Sequence, residues 1–168
     1  MELSFPARRS WPKIMGSYNP QLAVSPNNII YGVWQDNTQY ARSKKATSDT
    51  KRVDILCRVS LNGGRNFTTR NTIGIDIGDS ADFVQVTTAF SESYSGKSNN
   101  AYAVWSYVLK YRQPFNFELF YQTIANNGTT LGEPINLSND DGNAIGPRIA
   151  VSERDNVYVL WIDVTLRN

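Results

Sequence analysis

The sequence predicts an all-β chain that is built from a repeated set of strands. A Tyr-x-(Val/Leu)-Trp tetrapeptide occurs three times, each time within an apolar run rich in β-branched and aromatic residues. A similar short run ending in Ala-Val-Ser precedes the first and third tetrapeptides at the same spacing. Apolar residues do not recur at the helical spacing of i, i+3, i+4 and i+7, so no helix is expected. The three tetrapeptides are Tyr31-Gly32-Val33-Trp34, Tyr102-Ala103-Val104-Trp105 and Tyr158-Val159-Leu160-Trp161.

The composition is that of one globular domain, and it excludes several kinds of catalytic site. The 168 residues are 40% hydrophobic and 12% aromatic, which is enough to form a sizeable core. The chain has no histidine, which excludes Ser-His-Asp and Cys-His nucleophile systems. Its one cysteine, Cys57, excludes an intrachain disulfide and a cysteine-based zinc site.

Charge and hydropathy give no reason to expect a nucleic-acid partner or a membrane span. The net charge is only +2, and the apolar runs are too short to cross a bilayer. The stretch from Asn139 to Asn143 is rich in oxygen ligands, as calcium loops are, but it lacks the terminal Glu, so a polar turn is favoured. We therefore expect neither a metal ion nor a cofactor.

Residues 1–19 match no repeat and are expected to form an N-terminal arm. Pro6 and Pro12 interrupt this segment, and Trp11 is expected to dock it against an apolar surface. The segment lacks the apolar core of a secretory signal peptide, so these residues leave the localisation open.

The first repeat, at about residues 20–80, is expected to be a four-stranded antiparallel meander with a long polar loop at 38–52. The second repeat, at about 83–142, has the same plan. The third, at 147–168, holds only the first two strands, because the sequence ends there. Predicted strands lie at 21–25, 29–34, 54–60 and about 67–73, then at 84–90, 101–107, 117–123 and 134–137, and then at 147–152 and 158–161.

A meander of this size cannot bury both of its faces alone, so each repeat needs a neighbour on either side. This favours blades around an axis, and the predicted fold for residues 20–168 is a partial β-propeller of two complete blades and half of a third. Tyr and Trp of the tetrapeptide are three residues apart, so on a strand they point to opposite faces. We therefore interpret them as packing residues, one against the preceding blade and one against the following blade: Tyr31, Trp34, Tyr102, Trp105, Tyr158 and Trp161.

The turn after the third strand of the first repeat carries a family resemblance. Ser60-Leu61-Asn62-Gly63-Gly64-Arg65-Asn66-Phe67 resembles the Asp-box (BNR repeat), Ser-x-Asp-x-Gly-x-x-Trp, of sialidase-like β-propeller proteins. Asn62 stands in place of Asp and Phe67 in place of Trp. In that family the box ties its turn to backbone amides, which an Asn side chain can also do. Ser60, Asn62, Gly64 and Phe67 are therefore predicted to have a structural role. From about Pro20 onward, the repeats are similar to those of the exo-α-sialidase-like repeat family.

The catalytic site that the resemblance implies is not found in this sequence. Sialidases of the family hold the substrate carboxylate with three arginines and use a Tyr nucleophile, a Glu and an Asp acid/base. Their leading Arg lies in a Phe/Tyr-Arg-Ile-Pro motif, whereas Arg148-Ile149 here keeps only the central dipeptide and lies in another repeat. We therefore expect no catalytic residue. If the chain is an enzyme, the resemblance implies a glycoside hydrolase of the exo-α-sialidase type, and it suggests an extracellular or cell-surface location.

Two carboxylates hold equivalent positions after the Trp strands. These are Asp36 and Asp163, with Ser106 interpreted as their counterpart in the second repeat. A carboxylate pair can act as general acid and base. An Asp at the end of a strand also caps a turn, and this second interpretation is favoured.

Two hypotheses follow for the function. The first is a non-catalytic binding or scaffolding module that recognises a glycan or a protein. Its candidate ligand-binding residues are Tyr107, Tyr111 and Phe115, which we expect to be exposed between the second and third strands of repeat two and able to stack on a sugar or anchor an interface. The alternative is a fragment or protomer of a sialidase-like glycoside hydrolase, completed by self-association or by further blades of a longer chain.

Overall fold

A computed structural model describes residues 16–38, 53–73, 80–88, 99–110, 116–139 and 142–164. Strands dominate these residues, and every strand pairing except one is antiparallel. The prediction of an all-β chain is confirmed. The strands are β1 (Ser17–Val24), β2 (Ile30–Asp36), β3 (Asp54–Ser60), β4 (Asn71–Ile73), β5 (Ser80–Thr88), β6 (Ala101–Lys110), β7 (Asn116–Ala125), β8 (Thr130–Leu131), β9 (Ile135–Asn136), β10 (Asn143–Val151) and β11 (Val157–Val164).

The first sheet is an antiparallel meander in the order β1-β2-β3-β4, as the sequence predicts for repeat one. Two boundaries differ from the prediction. Strand β1 begins at Ser17, so it takes in the last residues of the segment that was expected to be an arm. Strand β4 is confined to Asn71–Ile73, because residues 61–70 form the turn and an extended connection.

The second sheet joins the remaining strands in the order β11-β10-β7-β6-β5, with β8 and β9 both paired to β7. The predicted fourth strand of repeat two, at 134–137, is confined to β9, and β8 is a further short strand that the sequence did not predict. Strand β10 is attached to β7 by one parallel pair, Asn143 with Phe117, while β10 and β11 form an extended hairpin of their own. The hairpin of repeat three is thus a nearly separate third layer.

The hairpin turns of repeats one and three have the same hydrogen bonds, residue for residue. The Ser25 amide donates to the Ile29 carbonyl, and Asn28, which has φ +59°, donates its amide to the Ser25 carbonyl. Repeat three forms the same two bonds at the equivalent positions, around Ser152 and Asp155, with φ +60° at Asp155. The two repeats therefore align without a gap from residue 20 with 147 to residue 36 with 163.

A β-bulge interrupts the first strand of every repeat opposite the Trp of the tetrapeptide. In repeat one Tyr18 pairs with Gln35 and Gln21 with Val33, so two residues lie opposite Trp34. Repeats two and three have the same irregularity opposite Trp105 and Trp161. A bulge bends and twists its strand locally, so three equivalent bulges give the three repeats a similar shape.

The sheets stack in three layers, with the β6–β7 hairpin in the middle. One face of β6 and β7 packs against the first sheet, in a core that joins Tyr31, Val33 and Cys57 to Trp105 and Phe120. The opposite face, with Val104 and Leu119, packs against β10 and β11. Strand β5 contacts both β1 and β10, so the first strands of the three repeats lie side by side.

Each tetrapeptide places its Tyr and its Trp on opposite faces of the sheet, as predicted. Tyr31 packs toward the following layer, whereas Trp105 and Trp161 pack toward the preceding one. We call the side of each repeat that carries the tetrapeptide Tyr its Tyr face, and the opposite side its Trp face. Each internal interface brings the Tyr face of one repeat against the Trp face of the next.

Candidate functional site

The Asn62 turn, residues 60–67, is held by side-chain bonds to its own backbone. The Ser60 hydroxyl accepts the Gly64 amide at 2.8 Å, and the Oδ1 of Asn62 accepts the Asn66 amide at 2.9 Å. Gly63 and Gly64 have positive φ values of 66° and 91°, a conformation that glycine adopts without steric cost. The side chains of Ser60 and Asn62 thus hold the turn, and Gly63 and Gly64 supply its left-handed residues.

Phe67, the fourth residue predicted to be structural in this turn, is 46% exposed. The neighbouring Thr68 ties the chain back to β3, because its amide donates to the Val59 carbonyl and its hydroxyl accepts the Val59 amide. The end of the turn is thus fixed mainly by Thr68, and Phe67 adds a half-exposed aromatic ring beside it.

A groove of about 590 Å³ lies between the Asn62 turn and the β1–β2 turn. The two turns lie at the same end of the first sheet because Ile30, at the start of β2, pairs with Ser60, at the end of β3. Polar and apolar groups share the lining in similar measure. The lining residues are Val24, Asn28, Ile30, Leu61, Asn62, Gly63 and Arg65.

The chemistry of this groove combines directional polar groups with aliphatic surface. Asn28, Asn62 and Arg65 are exposed and supply amide and guanidinium groups, while Val24 and Leu61 are 47% and 56% exposed. Among the described residues, the bonds of the turn use Oδ1 of Asn62 and not its Nδ2 group, which is a hydrogen-bond donor. The sequence indicates both turns, but their adjacency follows from strand register, so this groove was not foreseen.

Of the three aromatic residues predicted to bind a ligand, only Tyr107 lies within the described residues. The prediction that Tyr107 is exposed is wrong. Tyr107 is 3% exposed, and its ring meets Phe120 edge-on with centroids 6.0 Å apart. It lies on strand β6, which continues to Lys110, on the face that packs against the first sheet. Tyr111 and Phe115 lie outside the described residues.

Asp36 is the last residue of β2, and it is 4% exposed. One of its oxygens accepts the Ser17 hydroxyl at 2.6 Å, and the other accepts the amide of Thr38 at 2.9 Å and its hydroxyl. Burial acts to raise the pKa of Asp36, but these hydrogen bonds and the charge of Arg70 outweigh it and hold the pKa below its usual value. These contacts are those of a structural cap.

The second carboxylate of the proposed pair does not share this environment. Asp163 is exposed and lies in the third layer, with the β6–β7 layer between its sheet and that of Asp36. The strand register also corrects the assignment in repeat two: Tyr107, two residues after Trp105, holds the equivalent position, and Ser106 does not.

Burial shifts the pKa of two groups in the core between the first two layers. Burial raises the pKa of the Cys57 thiol to about 12, and burial with the nearby Cys57 raises the pKa of Tyr31 to about 12. The Tyr31 hydroxyl donates to the Asn99 carbonyl, across the interface between the first two layers. Both groups are neutral near neutral pH, and both pack within the core.

Within the described residues, no group of three or more acidic or cysteine side chains is placed to hold a metal ion, and no helix has the length and apolarity to cross a bilayer. A comparison with models of known protein families found no matching family, and a comparison with curated proteins found no similar protein.

Proposed function

We propose that the chain is a non-catalytic binding module of the sialidase-like propeller type, and that it recognises a glycan through the groove beside the Asn62 turn. The composition of that groove carries the proposal. Asn28, Asn62 and Arg65 can form directional bonds with sugar hydroxyl groups, and Val24 and Leu61 can cover the C–H face of a ring.

Several features support propeller blades as the framework of this module. The repeats share a bulge opposite the Trp, their first strands lie side by side, and each Tyr face meets the Trp face of the next repeat. The non-catalytic part of the proposal is supported by Asp36, whose two oxygens both accept bonds from the fold.

A glycan array, followed by titration of the bound glycan, tests the proposal. Arg65→Ala and Leu61→Ala should each weaken binding at least tenfold, because they remove a donor and an apolar contact from the groove. Both residues are exposed, so circular dichroism and the melting temperature should stay unchanged. Arg154→Ala is the control, since Arg154 is an exposed arginine in the β10–β11 turn of repeat three and does not line the groove, and it should bind as the wild type does.

The same array tests the remaining sequence hypothesis. If Tyr111 and Phe115 take part in binding, the double variant Tyr111→Ala/Phe115→Ala also loses affinity. Wild-type affinity in both Arg65→Ala and Leu61→Ala would overturn the groove as the site. Binding to a protein but to no glycan would overturn the ligand class. Cleavage of a fluorogenic sialoside by the purified chain would overturn the non-catalytic assignment and favour the glycoside hydrolase alternative.

A further inference from the structure

The two outer faces of the three-layer stack are apolar and exposed. On the Tyr face of repeat three, Tyr158, Leu160 and Ile162 are 61%, 72% and 59% exposed. On the Trp face of repeat one, Leu22 is 70% exposed and lies with Trp34 in a mainly apolar groove of about 420 Å³. Contiguous exposed apolar surface of this kind marks interaction sites.

The Tyr face is exposed in repeat three but buried in repeat one. The gap-free alignment of repeats one and three equates the exposed residues Tyr158, Leu160 and Ile162 with Tyr31, Val33 and Gln35. These last three are 0%, 0% and 1% exposed, and Tyr31 and Val33 pack against the second layer. The same position in the repeat is therefore an interface residue in one layer and a surface residue in the other.

The Trp face of repeat one has the same relation to the other repeats. Leu22 is equivalent to Ile149, which packs against the middle layer together with Trp161. Trp34 is equivalent to Trp105, which is fully buried against the first sheet, whereas Trp34 is only partly buried. Among the described residues, the outer face of repeat one thus leaves exposed a surface whose equivalents are covered in both other repeats.

We propose that these two faces bind each other between chains, so that the Tyr face of repeat three in one copy packs on the Trp face of repeat one in a second copy. The interface would be a third instance of a contact that the chain already makes twice. The proposal does not depend on glycan binding. It predicts a head-to-tail contact between unlike faces, which closes into a ring or continues as an open array, depending on the rotation between copies.

Mass in solution tests the proposal, measured by sedimentation or light scattering over a wide range of concentration. The wild-type chain should form species heavier than its 18.9 kDa monomer. Leu160→Asp and Leu22→Asp change opposite outer faces, and each should reduce the mass to that of the monomer while the circular dichroism stays native. Ile135→Asp is the matched control: Ile135 is 52% exposed but lies on β9 in the middle layer, so this variant should assemble as the wild type does.

Mixing the two monomeric variants distinguishes head-to-tail contact from contact between like faces. Leu160→Asp keeps an intact Trp face and Leu22→Asp keeps an intact Tyr face, so an equimolar mixture should give a two-chain complex. If Leu160→Asp fails to fold, Tyr158→Asp replaces it on the same face. A wild-type chain that is monomeric at every concentration, assembly that survives Leu160→Asp, or a mixture that stays monomeric would overturn the proposal.

Discussion

Gly128 sets the distance between the first two layers. It lies in the turn after β7, is buried, and has φ +82°. A Cβ atom at this position would lie 2.3 Å from Cγ2 of Val59 and 3.0 Å from its Cβ, on strand β3 of the first sheet. The turn can approach β3 this closely only because residue 128 has no side chain.

We expect Gly128→Ala to lower the free energy of unfolding by about 2–4 kcal/mol, since it adds overpacking to an unfavourable positive φ. Gly63→Ala is the control for the backbone contribution: Gly63 has φ +66° but no atom within 4 Å of its Cβ position, so it should lose only about 1 kcal/mol. Urea unfolding measures both variants. Equal losses would show that the contact with Val59 does not limit the approach of the layers.

Asp36 should make the free energy of unfolding depend on pH. Its pKa is lowered in the folded chain, so its contribution to the free energy of unfolding is present above the unfolded pKa of about 4 and is lost as the pH falls through the folded pKa. Asp36→Asn should abolish this loss, and Ser17→Ala should reduce it, because Ser17 donates one of the bonds that lower the pKa. Urea unfolding between neutral pH and about pH 3 checks the series. An unchanged acid dependence in Asp36→Asn would contradict it.

At the scale of the element, the bulge in the first strand is the feature that the repeats share most closely. In repeats one and three it contains a residue with positive φ followed by proline: Asn19 (+50°) before Pro20, and Gly146 (+62°) before Pro147. Asn19 is also anchored to the opposite strand, because its side-chain amide, Nδ2, donates to Oε1 of the buried Gln35. In repeats one and three, the residue before the proline of the bulge is therefore one that tolerates the left-handed region.

Two substitutions of Gly146 test whether this backbone conformation limits the choice of residue. Gly146→Val should lower the free energy of unfolding by about 2 kcal/mol, because a β-branched side chain is strained at positive φ. The Cβ itself would have room, since its nearest neighbour in Ile162 is 4.0 Å away. Gly146→Asn installs the residue of repeat one and should cost less than about 1 kcal/mol. Chemical denaturation that gives the same loss for both variants would argue against backbone conformation as the cause.

At the scale of the whole molecule, the order of the layers follows from the polarity of the tetrapeptide. Tyr31 packs toward the following layer, and Trp105 and Trp161 pack toward the preceding layer, so every interface joins unlike faces. A stack with this polarity always ends in one Tyr face and one Trp face. The proposed contact between chains is the pairing of those two ends.

The local features of this fold could be predicted from sequence because they depend on neighbouring residues. Alternation of apolar residues and turn composition gave the strands, and the bounds of β3 matched the prediction at both ends. The three-residue spacing of Tyr and Trp gave their opposite faces, because a strand alternates every residue. Ser60 and Asn62 hold their own turn, since the bonds they make span only a few residues.

Tyr107 and the groove show what sequence alone could not give. Tyr107 was expected in an exposed loop, but β6 continues past it, and the first sheet, more than thirty residues earlier in the chain, covers its ring. The groove needs Asn28 and Arg65 to meet at one end of a sheet, which depends on the register of β2 against β3. Sequence by itself determined the repeat, its strands and their two faces, because these follow from local geometry. Only the tertiary structure decided which faces are covered and which remain open, because burial depends on contacts between residues far apart in the chain.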